Sequence, residues 1–253
     1  MRTAVVTGAS RGIGRAIAAR LASDDWKVVL VSRDAIRLGH VCDELRKQGG
    51  DVAFFPCDVS DEDSVAEMVA FTASRYAPPE LLVNNAGIAG PTVPTWAISK
   101  TDWEDVLAAN LTGPLLCARA VLPAMIERRS GHIVNISSIT GKRPLPNRVA
   151  YAASKMGLIG LTRTLATEVG KFAVRVNALS PGVVEGDRIE GVLSRQAEAE
   201  GVPIQTVLSE FLSSTPMERM VAPGEVAAAV VALHDLTGVT GVDLNVAAGL
   251  VMY

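Results

Sequence analysis

The sequence predicts an α/β fold in which short buried strands alternate with helices. Three observations carry that expectation. The chain has 253 residues, a length that suits one α/β domain better than two small ones. Apolar runs too short for helices, such as Val28-Val29-Leu30-Val31, recur between segments of helical spacing. The first of these runs, residues 3–7, ends at Gly8 and opens through a glycine turn into the helical pattern Gly12 to Ala22.

Composition narrows the function classes. Hydrophobic residues make up 49% and charged residues 20%, enough for a buried core and too apolar for a disordered chain. A formal net charge of −3 argues against a nucleic-acid surface. No run of eighteen apolar residues occurs, so no membrane span is expected. The first residues read straight into a core strand rather than a signal peptide. Cys42, Cys57 and Cys117 are odd in number, widely spaced and without a metal-ligand pattern, and read as reduced thiols of a cytoplasmic protein.

The first strand–turn–helix unit contains Gly8-Ala9-Ser10-Arg11-Gly12-Ile13-Gly14. Glycines let the backbone turn sharply and approach a diphosphate, whose charge is favoured at a helix N-terminus. The spacing is not that of the general dinucleotide fingerprint, and such turns also serve packing alone. The second strand ends at Ser32-Arg33-Asp34. A carboxylate at this strand end accepts the ribose hydroxyl of NAD, whereas a guanidinium such as that of Arg33 matches the 2′-phosphate of NADP. The alternative is a solvated Arg33 with Asp34 capping the next helix, over about 34–48. A third strand over 51–56 leads to Asp58-Val59, placed to meet an adenine or to make a turn, and a helix over 61–76 follows.

The fourth strand and its exit read Leu81-Leu82-Val83-Asn84-Asn85-Ala86-Gly87. Paired Asn side chains tie down loops, and small residues let a cofactor lie against the backbone. A long helix starting after Ser99 or Thr101 runs towards Arg128, and Asn110 inside it predicts a kink or a hydrogen-bonding task. The fifth strand, 132–137, ends at Ser138, and a helix follows from about Arg148 to Gly170. On that helix Tyr151 and Lys155 share one face, a turn apart. A phenol loses its proton only near pH ~10, and a nearby ammonium favours the phenolate. The same pair also fits an ordinary exposed helix. The sixth strand, 173–179, ends in Ser180-Pro181-Gly182, and residues 183–217 form an excursion where a substrate lid would sit. A helix over 225–233 and a strand over 242–246 complete the chain.

Taken together, Thr7-Gly8, Gly12, Gly14, Asp58, Asn84 to Gly87, Asn110, Ser138, Tyr151, Lys155, Asn177 and Pro181-Gly182 make the chain resemble the short-chain dehydrogenase/reductases over nearly its whole length. It is most similar to the 3-oxoacyl-carrier-protein reductase group and related small-alcohol dehydrogenases. The resemblance implies a doubly wound Rossmann domain with seven parallel strands in the order 3-2-1-4-5-6-7. It implies Tyr151 as catalytic acid and base, Lys155 as the charge beside the phenol and the holder of the nicotinamide ribose, and Ser138 on the substrate oxygen. Asn110 is expected to hold a kink and a water leading to Lys155, with Ser137 structural. Cofactor contacts are expected from Gly8, Ser10, Arg11, Gly12, Ile13, Gly14, Arg33, Asp58, Val59, Asn85, Ala86, Gly87, Tyr151, Lys155, Pro181, Gly182 and Val184. Two departures stand out: Gly186 occupies the place of the usual nicotinamide-binding Thr, which leaves the Val184 backbone or Asp187, and Val246-Ala247-Ala248-Gly249 replaces the usual Val-Asp-Gly-Gly.

The function expected is NADP(H)-dependent reduction of a carbonyl or oxidation of the matching alcohol. The rivals are an NAD-dependent alcohol dehydrogenase, a non-catalytic nucleotide-binding regulator, which commonly lacks the Tyr or Lys, and a sugar-nucleotide epimerase, whose glycine turn is spaced differently. Pro91, Pro94, Trp96, Pro144, Leu145 and Pro146 suggest an apolar substrate wall. Glu185, Asp187, Glu190, Glu198 and Glu200 make the lid acidic, leaving Arg128, Arg129, Lys142 and Arg143 as a basic patch for a carrier. The resemblance also implies a homotetramer through helices about 101–128 and 148–169, with Leu107, Leu111, Leu115, Leu158, Ile159 and Leu165 as interface or as sheet packing.

Overall fold

Strands whose two faces are both covered must be apolar throughout, and β1 (Thr3–Thr7) and β2 (Lys27–Ser32) are buried along almost their whole length. In the computed structural model, which describes residues 2–143 and 145–253 and omits the side chains of Asp187, Arg188, Arg195, Gln196, Ala199 and Glu200, they lie at the heart of a parallel sheet. The remaining strands are β3 (Val52–Pro56), β4 (Leu81–Asn84), β5 (Gly131–Ile136), β6 (Val174–Pro181) and β7 (Asp243–Val246). Their order is 3-2-1-4-5-6-7, as expected from the sequence.

Alternation along the strands sorts the core into two layers. Ala4, Val6, Val28, Leu30, Leu81, Val83 and Val134 face one side. There they meet Ile17 and Leu21 of α1 (Gly12–Ser23), Leu38 and Leu45 of α2 (Ala35–Lys47), and Val230 and Leu233 of α9 (Pro223–Asp235). Val5, Val29, Val31, Leu82, Ile133 and Val176 face the other side. They pack on Met68 of α3 (Glu62–Arg75), Cys117 and Met125 of α5 (Gly113–Glu127), and Leu165 and Val169 of α6 (Val149–Val169). Each fully buried Val, Leu or Ile contributes about 1.5–3 kcal/mol, so this two-sided core dominates stability.

One polar chain crosses the second layer. Asn84 donates to the Asn135 side chain at 2.9 Å, Asn135 donates to Thr162 at 2.9 Å, and Thr162 returns to the Leu158 carbonyl at 2.8 Å. All three side chains are buried, so each bond must be made if the others are to be worth forming. The chain sets the height of α6 against β4 and β5, and hence where its first turn lies.

The long helix after Ser99 is interrupted. It runs as α4 (Lys100–Leu107), a π-helical turn (Ala108–Thr112) and α5, with the buried Asn110 in the middle of the turn. The run Lys100–Glu127 is, by length and composition, long and apolar enough to cross a membrane, against the expectation from the sequence. In the fold its buried side is a core helix, packed on α3, α6 and the sheet. Leu158, Ile159 and Leu165 turn out to be buried against the protein's own core, so they are sheet packing rather than free surface.

Between β6 and α9 the excursion expected from the sequence is built from two helices. α7 (Asp187–Glu200) and α8 (Ile204–Ser213) pack through Leu193, Ala197 and Val207 into a small cluster of their own. The three cysteines are free and buried, and burial pushes the Cys117 thiol up to about 12, which keeps it protonated.

His132 lies wholly buried at the start of β5, accepting at Nε2 from the Asn177 side chain at 3.0 Å. That role is fixed because Asn177 uses its oxygen for the Val242 amide. Burial first, then Arg175 and His234, drives the His132 pKa well below its ordinary value, and His234 is lowered for the same leading reason. A histidine held neutral in the fold lets only the unfolded chain take up a proton below about pH 6.5, so stability falls as pH falls through that value. The loss should approach about 1.4 kcal/mol per pH unit per histidine. Chemical-denaturation midpoints measured from pH 7.5 to 5 should drop steeply in the wild type and less steeply in His132→Gln, and parallel curves would assign the drop to other groups.

Candidate active site

All the sequence-predicted site residues except Asp58 and Val59 of β3's exit and Arg33 of β2's end gather at the carboxyl ends of β1, β4, β5 and β6. The glycine turn follows β1. Gly8 has φ +66°, and a Cβ there would lie 2.8 Å from the Asn85 amide and 2.9 Å from the Ala86 Cα. A Cβ on Gly14 would come within 2.3 Å of the Gly8 carbonyl oxygen. These two glycines therefore serve the close packing of turn, helix and β4 exit. Gly12 is different: it has φ +53° and nothing within 4 Å of an added Cβ, so its backbone faces open space at the N-terminus of α1. Arg11 is exposed beside it, Ser10 and Ile13 are half-buried, and Ile13 packs against the cluster of Val221, Val226 and Ala248. An open backbone surface with a positive helix end fits the diphosphate of a dinucleotide.

Thr7, whose side-chain role the sequence did not reveal, joins β1 to β4. Its hydroxyl accepts from the Asn85 and Ala86 amides, each at 3.0 Å, and Asn85 donates to the carbonyls of Thr7 at 2.9 Å and Gly8 at 3.2 Å. Beyond this knot the chain passes Gly87 to Ile88, where Asn110 takes hold. The Asn110 amide accepts from the Ile88 N–H at 2.8 Å and donates to the Ile88 carbonyl at 3.0 Å and to Ser154 at 3.0 Å. Ser154 in turn donates to the Tyr151 carbonyl at 2.8 Å. A Cβ on Gly87 would lie 2.7 Å from the Asn110 oxygen and 3.9 Å from the Lys155 Nζ, which brings both groups to one point of the β4 exit.

Ser137 donates to the Lys155 carbonyl at 2.9 Å and is structural, as expected. Ser138 is buried and accepts from the Thr140 amide at 3.2 Å, which begins a short helical turn over Ile139–Gly141. That turn presses on α6: a Cβ on Gly141 would meet the Lys155 backbone at 2.9 Å. Lys155 is 5% exposed, donates to the Ile136 carbonyl at 2.8 Å and stands 5.7 Å from the centroid of the Tyr151 ring. Arg148, singled out in the sequence only as a helix start, is also buried, with its guanidinium 5.2 Å from the same ring centroid.

At the adenosine end the bland readings hold in part. Asp34 caps α2, accepting from the Arg37 amide at 3.0 Å, and pairs with Arg37. Asp58 makes a turn, accepting from the Ser60 N–H at 2.9 Å and hydroxyl at 2.6 Å. Its carboxyl is held below the usual range by Ser60 first and by Arg33 as well, and the Arg33 guanidinium lies 3.6 Å away. The Val59 side chain is buried against Gly113.

Past β6, Gly182 packs on Ala247 and bonds to the Val246 carbonyl at 2.9 Å, while Pro181 pairs with Val246 in the ladder. The Val184–Val221 bridge uses the Val183 carbonyl and the Glu185 amide, so the N–H and C=O of Val184 itself point to the opposite edge. Gly186 has φ +125° at the start of α7, and the Asp187 side chain lies outside the described residues, as does Pro144 of the apolar wall. Ala248, in place of a family glycine, sits at φ +49°, a conformation costly for a residue with a Cβ.

The proposed basic patch does not form. Arg128 donates to the carbonyls of Pro78, Pro79 and Ser130 at the amino ends of the strands, and Arg129 donates to that of Lys171. Lys142 is paired at 2.7 Å with Asp243, which also accepts from Ser180 at 2.7 Å, and donates to Asn245. Of the four cations only Arg143 remains exposed near the site.

Comparison with known proteins agrees with this geometry. Residues 2–197 match the short chain dehydrogenase family model. The chain is 39% identical to a protein of Streptomyces violaceoruber named as a ketoacyl reductase of the granaticin polyketide synthase, over 99% of this chain and 93% of that one. It is 34% identical to the 3-oxoacyl-[acyl-carrier-protein] reductase of Synechocystis, over 100% and 98%. Among solved structures, an NADPH-bound variant of actinorhodin polyketide ketoreductase superposes with a TM-score of 0.96 at 36% identity, covering 100% of this chain and 98% of that one. An NAD+-bound xylitol dehydrogenase does so with 0.94 at 32%, covering 98% of each. The chain belongs to the short-chain dehydrogenase/reductase family, oxidoreductases that use a nicotinamide cofactor on CH–OH and C=O groups.

Proposed function

We propose that the chain is a cytoplasmic NADP(H)-dependent reductase of 3-oxoacyl-type carbonyls, a single domain whose helices α7 and α8 cover the substrate. The observation that carries this reading is that Asn110 and Lys155 converge on Gly87 at the β4 exit, with the Tyr151 ring 5.7 Å from the Lys155 ammonium and Ser138 just past the end of β5. The nicotinamide supplies or accepts the hydride. The chain does the rest. Tyr151 gives a proton to the carbonyl oxygen in reduction and removes one from the alcohol in oxidation. Lys155 favours the phenolate and reaches the ribose, Ser138 donates to the substrate oxygen as charge builds there, and Asn110 fixes the loop on which the ring of the cofactor rests. The Val184 backbone supports the carboxamide. A non-catalytic role is disfavoured because all four of these residues are present.

NADP is favoured by Arg33. Its contact with Asp58 is an exposed pair, with the Arg33 side chain 71% accessible, so it is worth at most about 1 kcal/mol. A charge-assisted contact to a 2′-phosphate is worth about 1.5–3 kcal/mol and outweighs it. The likeness to an NAD+-bound dehydrogenase supports the alternative of an NAD enzyme. We also propose a homotetramer through the α4–α5 and α6 helices. Its apolar surface is Leu115 and Met156, both exposed, with Leu107 and Leu111 half-buried beside them.

Three measurements test these readings. With a panel of 3-oxoacyl thioesters and simple ketones, Tyr151→Phe should cut kcat at least about a thousandfold with unchanged NADPH affinity, whereas Lys155→Ala should weaken both. Substantial turnover by Tyr151→Phe refutes the acid role. Arg33→Asp should lower kcat/KM for NADPH by about ten- to a hundredfold and raise that for NADH relative to it. A wild type that prefers NADH makes Arg33 a surface residue. Light scattering at micromolar concentration should give four copies, and a monomer rules the assembly out.

A further inference from the structure

The guanidinium of Arg148 has no part in the roles assigned so far, yet among the described residues it is one of very few buried cations. One terminal nitrogen donates to the Ala89 carbonyl at 3.0 Å and the other to the Thr92 hydroxyl at 3.2 Å. Its carbon stands 5.2 Å from the centroid of the Tyr151 ring, closer than the Lys155 ammonium at 5.7 Å. The neighbouring backbone repeats the tie, with the Val93 amide on the Asn147 carbonyl at 3.1 Å. Arg148 therefore joins three things: the first turn of α6, the loop that leaves β4, and the aromatic ring of the proposed acid and base.

We propose that Arg148 is a positioning residue for the reaction, acting through Tyr151 as a second cation that stabilises the phenolate and as a strut that holds the ring against the loop 89–92. The inference rests on the assignment of Tyr151 above. A guanidinium over an aromatic face is attracted to the ring quadrupole, and more strongly once the ring carries a negative charge. Two hydrogen bonds fix the planar group, so its charge stays where a flexible Lys at the same place would wander. Among the described residues, the following charged groups on the elements packed around this turn are engaged elsewhere or lie in solvent. Lys142 is paired with Asp243 and Lys100 with Glu104, while Asp102 is bound to Ser99 and Asp105 and Arg143 are exposed. Within α6 the second charge on the ring is Lys155.

A unit charge about 5 Å away in a medium of effective dielectric near 20 changes a proton equilibrium by about two decades, and solvent at the half-buried ring reduces that to about one. The test is an ultraviolet difference titration of the phenolate, each protein measured against the same protein carrying Tyr151→Phe, which needs no substrate. Arg148→Gln should shift the Tyr151 titration up by about one pH unit, and Arg148→Met, which keeps the aliphatic stem, should do the same if Gln loosens the loop. Arg148→Lys should restore most of the wild-type midpoint. In turnover, kcat/KM for alcohol oxidation should fall about tenfold near neutrality in Arg148→Gln and recover at high pH. A titration of both neutral variants that coincides with the wild type overturns the proposal, as does a uniform loss of rate at every pH. If Tyr151→Phe itself stays active, it is the acid assignment that has failed. An inactive Tyr151→Phe with unshifted Arg148 variants isolates the failure to Arg148.

Discussion

The site hangs on the side chain of Asn110. Its amide closes a two-bond ring with the backbone of Ile88 and reaches Ser154, so one residue ties the β4 exit, the kinked helix and α6 together. An amide can do this because it offers an acceptor and two donor hydrogens from one planar group. Its place in the interior of a helix is made possible by the π turn, which widens the helix where the side chain must point at the loop. Without the clamp, Gly87 would lose the neighbour that sets its distance from Lys155, and the two halves of the site would move independently.

Around that clamp the protein separates two kinds of support. The cofactor side is built from backbone: glycines, the Thr7 knot and strand ends buried in a continuous apolar sheet. The proposed substrate side is built from loops and from the paired helices α7 and α8, whose small apolar cluster is separate from the main core. A rigid floor with a more lightly held cover is a division suited to an enzyme that must bind one constant cofactor and admit a variable substrate.

Much of this was legible in the sequence, and the reasons differ by residue. Parallel strands buried on both sides read as unbroken runs such as Val28 to Val31, so the sheet was visible. Asn110 was conspicuous because Asn is a poor helix residue, although the spacing could not say that the answer would be a π turn. Gly8, Gly12 and Gly14 read alike in the sequence, whereas in the fold a Cβ would meet protein at Gly8 and Gly14 and open space at Gly12. What stayed hidden was pairing across distance. Nothing near Lys142 announces Asp243, nothing near Arg33 selects Asp58 over Asp34, and Leu158, Ile159 and Leu165 could face a partner or a sheet with equal ease. The pairing of α7 with α8 was hidden too, because their apolar residues satisfy one another outside the main core.

The tie between Lys142 and the last strand has a consequence for how the chain is made. Lys142 follows Ser138 by four residues, but Asp243 and Asn245 are about a hundred residues further on, in β7. During synthesis the N-terminal strands can pair and the dinucleotide floor can close while these partners are still unmade. The loop that carries Ser138 then lacks its ion pair until β7 has emerged. The proposed substrate side is therefore secured later than the proposed cofactor floor, and a chain that stops before β7 leaves the loop of Ser138 without this tie.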